Sequence, residues 1–196
     1  MKEPPDQQKG RIVSWQALPV EFPTHRHEPE FWERLGRTIA TFGLLEEVLG
    51  KAIFALSGTR EYGKDEIDEA YAKWLPTLEK ALSDPLGRLI DGFEKSLRSH
   101  SKATPLNSDD LVHDLYSAAQ LRNVLCHGSW RSPNNLGGSI PLFVTPKMEI
   151  FDTPIDIPYL RQTQSHVVEL ICEVMNIVTQ MGWSFPGSAG RGEVIF

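Results

Sequence analysis

Apolar residues recur along this chain at helical spacing, in three long blocks and one broken one, separated by stretches rich in proline and glycine. In the first block Phe31, Leu35, Phe42, Leu45, Leu49, Ile53 and Leu56 follow at steps of three, four and seven. That is the period of a helix with one buried face, and it predicts a helix from about Glu30 to Ser57 with Gly58 as the stop. Glu46 lies at the edge of the stripe and Glu47 points away from it. Residues 66–98 read as helix again, kinked or divided at Pro76 and at Ser83-Asp84-Pro85, because proline lacks a donor and clashes with the preceding turn. A linker, "SHSKATPLNSDD", ends in an N-cap at Ser108 with acids in the first turn, which opens a helix over 108–127. The last helix runs from about Ile157 to Gly182, with Leu160, Val167, Ile171, Val174, Val178 and Met181 as its stripe.

Between the last two helices, "PNNLGGSIPLFVTPKMEIFDTP" places turn residues around two short strand-like runs, near 139–144 and 147–151. A small β-hairpin or extended insertion is expected there. The pattern as a whole gives an all-α fold, a four-helix up-down bundle with that insertion before the last helix. Residues 1–29 form an irregular N-terminal arm, interrupted by Pro4, Pro5, Pro19, Pro23 and Pro29. Residues 30–182 form the bundle, and residues 183–196, rich in glycine, a flexible C-terminal tail.

Composition changes this picture little. A chain of 196 residues is long enough for one sizeable core. No apolar run reaches the length of a membrane span, and the polar start "MKEPPDQQKGRIVSWQ" lacks the apolar core of a secretory signal. Cys126 and Cys172 give neither a disulfide framework nor a zinc spacing, so a reducing cytoplasm is the expected setting. In "THRHEPE", His25 and His27 stand beside Glu28 and Glu30. With no second ligand cluster, this reads as a solvated loop rather than a metal site, and neither a metal nor a cofactor is expected.

Charge is more informative. The net charge of −6 opposes broad binding to nucleic acid. From Leu115 to Met148, however, there is no acid, while Arg122, Arg131 and Lys147 all fall inside. That window is locally +3, which leaves −9 for the remainder. A small cationic patch on an acidic body suits a restricted anionic site.

The patch centres on "LRNVLCHGSW", residues 121–130. At about 100° per residue, Leu111, Leu115, Ala118 and Leu125 share one face, and the missing member of that series is Arg122. An unpaired buried charge costs several kcal/mol, so an anion must meet the guanidinium. Glu46 is the internal candidate, the usual arrangement for a buried arginine. A phosphate, gripped by the planar fork, is the other. His127 sits at the helix end, where the dipole favours its protonated form and a loop gives access. It can serve as a cap or as a general acid or base. Gly128 suits the left-handed residue after a helix. Five residues rotate by about 140°, so Arg122 and His127 do not share a face of an ideal helix. Either the helix unwinds near Cys126 or each site takes groups from two chains, which predicts a two-fold dimer. Trp130, with Arg131, can stack on a base or anchor the loop against the bundle. Cys126 reads as packing.

Arg122-Asn123-Val124-Leu125-Cys126-His127 resembles the motif of the HEPN superfamily, helical domains found in many prokaryotic toxins and defence nucleases: an arginine, a polar residue, a few more positions, then histidine. The first-helix run "FGLLEEVLGKAIFAL" is similar to the opening helix of such domains, and the resemblance covers about residues 30–182. It implies metal-independent cleavage of RNA at a homodimer interface, with Arg122, Asn123 and His127 catalytic; Trp130 and Arg131 beside them are the candidate RNA-binding residues, and Glu46 is the structural partner that periodicity offers Arg122. It also admits an antitoxin or defence protein as partner. The alternative is a non-catalytic HEPN-like module for dimeric interaction or nucleotide binding. No "GxxxxGK" loop supports a nucleoside triphosphatase, and no basic recognition helix supports a DNA reader.

Overall fold

Pro29 begins the first helix rather than interrupting it. Its fixed φ suits the first helical turn, and the N–H it lacks would have no partner there. In the computed structural model α1 spans Pro29–Gly58. Thr59 caps it: the backbone N–H and the hydroxyl both donate to the Ala55 carbonyl, at 3.1 and 2.7 Å. The structure describes residues 13–61, 63, 67–69, 71–72, 76, 79, 83–101 and 108–188. Residues 1–12 of the expected arm, 189–196 of the expected tail and much of the expected helix over 66–82 lie outside the described residues.

The break expected at Ser83-Asp84-Pro85 is present, and α2, Leu86–Arg98, starts directly after Pro85. Leu86, Leu89, Ile90, Phe93 and Leu97 form its buried stripe. α3 is Ser108–His127 and α4 is Ile157–Gln180. Asp156 caps α4 by accepting from the Tyr159 N–H at 2.7 Å. The chain turns away after Gln180, two residues short of the expected end, with Gly182 at φ 91°. The described part of the chain is all-α, and none of its helices is long and apolar enough to cross a membrane.

Paired residues fix the helix directions. Along α1 and α2, Ile53 packs against Gly92, where a Cβ would meet the Ile53 Cδ1 at 3.1 Å. Six residues on from Ile53 and eight from Gly92, Thr59 meets His100 at 3.1 Å, so the two helices run the same way. α3 returns against α2, since Arg98 pairs with Asp109 at 2.8 Å and Tyr116 bonds Asp91. α4 runs with α1, on which it packs most extensively: Thr38 donates to the Leu160 carbonyl at 3.2 Å, and Phe42 shares a cavity wall with Thr163 and Val167. Leu45, Leu49, Ile90, Phe93, Leu115, Leu125, Leu160 and Val174 meet in the interior.

The β-hairpin expected before the last helix is not formed. Residues 128–156 make an extended excursion held by isolated bridges, Ser129 with Leu142, Ser139 with Ile155 and Val144 with Ile150. Proline explains it. Pro141, Pro146 and Pro154 cannot donate to a ladder, so pairing never propagates beyond single positions.

Phe93 is fully buried. Phe93→Ala is expected to lower the free energy of unfolding by about 3–5 kcal/mol, the usual cost of a large cavity in a packed core. Urea denaturation followed by circular dichroism measures it.

Candidate active site at the end of the third helix

α3 presents Leu111, Leu115, Ala118 and Leu125 to the core as the spacing requires, and Arg122 lies within their arc. The guanidinium is nevertheless not sealed, since its side chain keeps 28% of its exposure. The cause lies in α2. That helix starts at Leu86, directly after Pro85, and among the described residues its first turn borders an open stretch of α3. A cavity of 430 Å³ opens there, and Arg122 and Asn123 reach its wall.

One protein contact holds Arg122 among the described residues: Nη2 donates to Glu46 Oε1 on α1 at 3.3 Å. Glu46 is itself only half-buried. The expected internal pair therefore exists, but it is long, single and wet, and most of the guanidinium's five donors remain uncommitted. Arg88 faces the same cavity and pairs with Asp84 at 3.1 Å. The first-turn amides of α2, Leu86 and Gly87, border it as well, and such amides have no intrahelical acceptor. Tyr116 donates to Asp91 at the cavity edge, and that hydrogen bond, with burial, pushes its hydroxyl up to about 12. Tyr116 thus stays protonated near neutrality and is no candidate base. A larger cavity of 780 Å³ opens elsewhere against α1, where Glu46 and Glu47 face a single Lys51. With Asp84 also on its wall, three carboxylates there disfavour a phosphate.

His127 is the last residue of α3, exposed, and free of hydrogen bonds and ion pairs among the described residues. The helix does not unwind near Cys126, for the Gly128 N–H still reaches the Val124 carbonyl at 2.9 Å. Arg122 and His127 of one chain therefore point about 140° apart, and His127 is absent from the wall of the Arg122 cavity. Gly128 does not take the expected left-handed conformation. Its glycine is required by close approach instead: a Cβ would lie 2.6 Å from the Val124 carbonyl oxygen and 2.7 Å from Pro141. The excursion is pinned here by two backbone hydrogen bonds between Ser129 and Leu142 and by Ser139 Oγ, which donates to the Arg131 carbonyl at 2.6 Å. His127 thus projects from a braced helix end.

Compared with protein-family models, with curated proteins and with solved structures, the chain matches none.

Trp130 packs its ring edge-to-face on Phe31 at 5.0 Å, with Trp32 and His27 at 6.2 and 6.3 Å. Its half-buried ring anchors the loop to the start of α1, and Arg131 beside it is exposed. Around this cluster the arm is not the solvated loop its sequence suggested. Trp32 donates to the Thr24 carbonyl at 2.9 Å and Arg26 to Ser132 at 2.6 Å, so residues 24–27 are strapped across the Trp130 loop. The signal was available in the aromatic pair Phe31-Trp32 directly after the two histidines. No group of three metal-ligating side chains forms among the described residues. Cys126 is half-buried and Cys172 exposed, both unpaired.

Both ring nitrogens of His27 are buried without a hydrogen-bond partner, and burial lowers its affinity for a proton. In the unfolded chain the ring protonates near pH 6.5, so the unfolded state binds more protons at and below that pH. Stability is then retained above about pH 6.5 and lost on acidification. Melting temperatures measured from pH 8 to pH 5 are expected to fall more for the wild type than for His27→Phe, with the two curves diverging below about pH 6.5.

Proposed function

We propose that this chain is a metal-independent endoribonuclease of toxin or antiviral-defence type, built as a HEPN-like helical bundle and acting as a homodimer in the cytoplasm. The observation that carries the reading is the partly exposed Arg122 at an open cavity, five residues along α3 from an exposed His127 that has no partner among the described residues and stands on a braced helix end. α2, α3 and α4 alternate in direction, as an up-down bundle requires. The window from Leu115 to Met148 adds no acid to the site, and the two carboxylates that reach it from other helices, Glu46 and Asp91, are engaged by Arg122 and Tyr116.

In this reading each site combines Arg122 and Asn123 of one chain with His127 of its partner, because a continuous α3 separates them within a chain. Leu142, Val144 and Ile150, exposed on the excursion beside the helix end, give a second copy apolar surface to bury. His127 takes the proton from a ribose 2′-hydroxyl, whose oxygen attacks the adjacent phosphorus. The bond to the 5′-oxygen breaks, and that oxygen takes the proton back from the protonated His127, directly or through water, giving a 2′,3′-cyclic phosphate and a 5′-hydroxyl. Arg122 binds the non-bridging oxygens as charge builds on them, and Asn123 orients a phosphate oxygen or the imidazole. Trp130 braces the loop, while Arg131 is free to meet the RNA backbone.

A second reading, a non-catalytic dimeric interaction or nucleotide-binding module, is favoured by the Arg122–Glu46 pair at 3.3 Å. The two separate on one assay. Purified protein in EDTA is expected to cleave single-stranded RNA, with His127→Ala slower by about 10²–10⁴-fold and Arg122→Ala by about 10²–10³-fold. Equal activity in all three preparations, or none in the wild type, rejects the nuclease.

A further inference from the structure

Gln120 and Asn123 stand one turn apart on α3, both exposed, and each borders two cavities. On one side is the cavity of Arg88 and Arg122. On the other, between α3, the start of α4 and the excursion, lies a cavity of 670 Å³ with a different chemistry. Phe143, Phe151 and Tyr159 supply rings to it, and all three are only partly buried against the core. The excursion holds two of these rings together, since the Phe151 N–H donates to the Phe143 carbonyl at 3.0 Å. Lys147 is the one lysine or arginine on the wall, against Glu149 and Asp152.

We propose that this second cavity is a nucleobase subsite, taking one unstacked base of single-stranded RNA, with preference for a base that carries an exocyclic amino group. The inference rests on the RNA reading of Arg122 and deepens it. Its volume falls within the range of pockets that enclose small ligands, about 300–1,000 Å³. Aromatic rings are the surface on which unstacked bases settle. Amide side chains such as Gln120 and Asn123 pair with base edges, and carboxylates such as Glu149 and Asp152 accept from amino groups. Those same carboxylates repel a phosphate, so the phosphate belongs in the other cavity, at Arg122. Gln120 and Asn123 line both cavities, which lets a nucleotide lie over them with its phosphate on one side and its base on the other.

The test uses 2-aminopurine riboside, whose fluorescence is quenched on stacking and which carries no phosphate to engage Arg122. The full-length wild type is expected to quench it saturably. Phe151→Leu, which keeps an apolar side chain but removes the ring, is expected to weaken binding at least tenfold, and Phe151→Tyr to restore it to within twofold. Adenosine and cytidine are expected to displace the probe at least fivefold better than uridine. Absence of saturable quenching by the wild type, or unchanged quenching in Phe151→Leu, overturns the subsite, and equal displacement by uridine overturns the amino preference. If Phe151→Leu alters only the sedimentation of the dimer, the cavity belongs to a second copy and the proposal fails. Because the riboside is never cleaved, saturable binding without RNA cleavage would keep the subsite and reject the nuclease, and cleavage without binding would do the reverse.

Discussion

An unbroken hydrogen-bond ladder runs to the end of α3, and the remaining geometry follows from it. While the Gly128 N–H still reaches Val124, the helix cannot twist its last turn to bring His127 over Arg122. The two side chains differ by about 140° around the axis. A chemistry that needs both must therefore borrow one of them from another chain. Gly128 protects this arrangement: a side chain there would collide with Val124 and Pro141 and force apart the helix end and the excursion.

A second constraint decides what Arg122 can do. Pro85 sets the start of α2, and the cavity between that start and α3 leaves the Arg122 side chain 28% exposed. An ion pair so exposed contributes little, about 0–1 kcal/mol. Glu46 therefore parks the cation without claiming it. A phosphate, which accepts two parallel charge-assisted hydrogen bonds from the planar fork, offers a better partner than one long contact. Had the pair been sealed and bidentate, a structural role would have sufficed.

The helices were legible in sequence because each buries one stripe at the helical period. The span of α3 agrees with the expected 108–127, although Ser108, expected as the N-cap, is the first residue inside the helix, with two aspartates after it and the His127-Gly128 step at the other end. The stop at Ser83–Pro85 was legible from proline chemistry, though the cavity it opens was not. Cavities arise between elements, and no local pattern encodes the gap between α2 and α3. Arg88 went unnoticed for that reason. Of the two forms expected for the insertion, the extended one is present and the hairpin is not: alternating apolar residues imitate strands, while three prolines prevent a ladder. The ordering of the arm around His25 and His27 is not legible locally, because its anchors Trp32 and Trp130 lie on segments far apart in sequence. The Arg122–Glu46 pair, by contrast, followed from two helical periodicities read together.

Mixed dimers test the composite site most directly. Arg122→Ala and His127→Ala chains, each inactive alone, are to be unfolded together, refolded and assayed for RNA cleavage in EDTA. If each site joins Arg122 of one chain to His127 of the other, half of the mixed population carries one intact site of two, and activity near one quarter of the wild type returns. A mixture that forms heterodimers yet stays as inactive as its parents, while wild type carried through the same procedure cleaves RNA, would contradict the account.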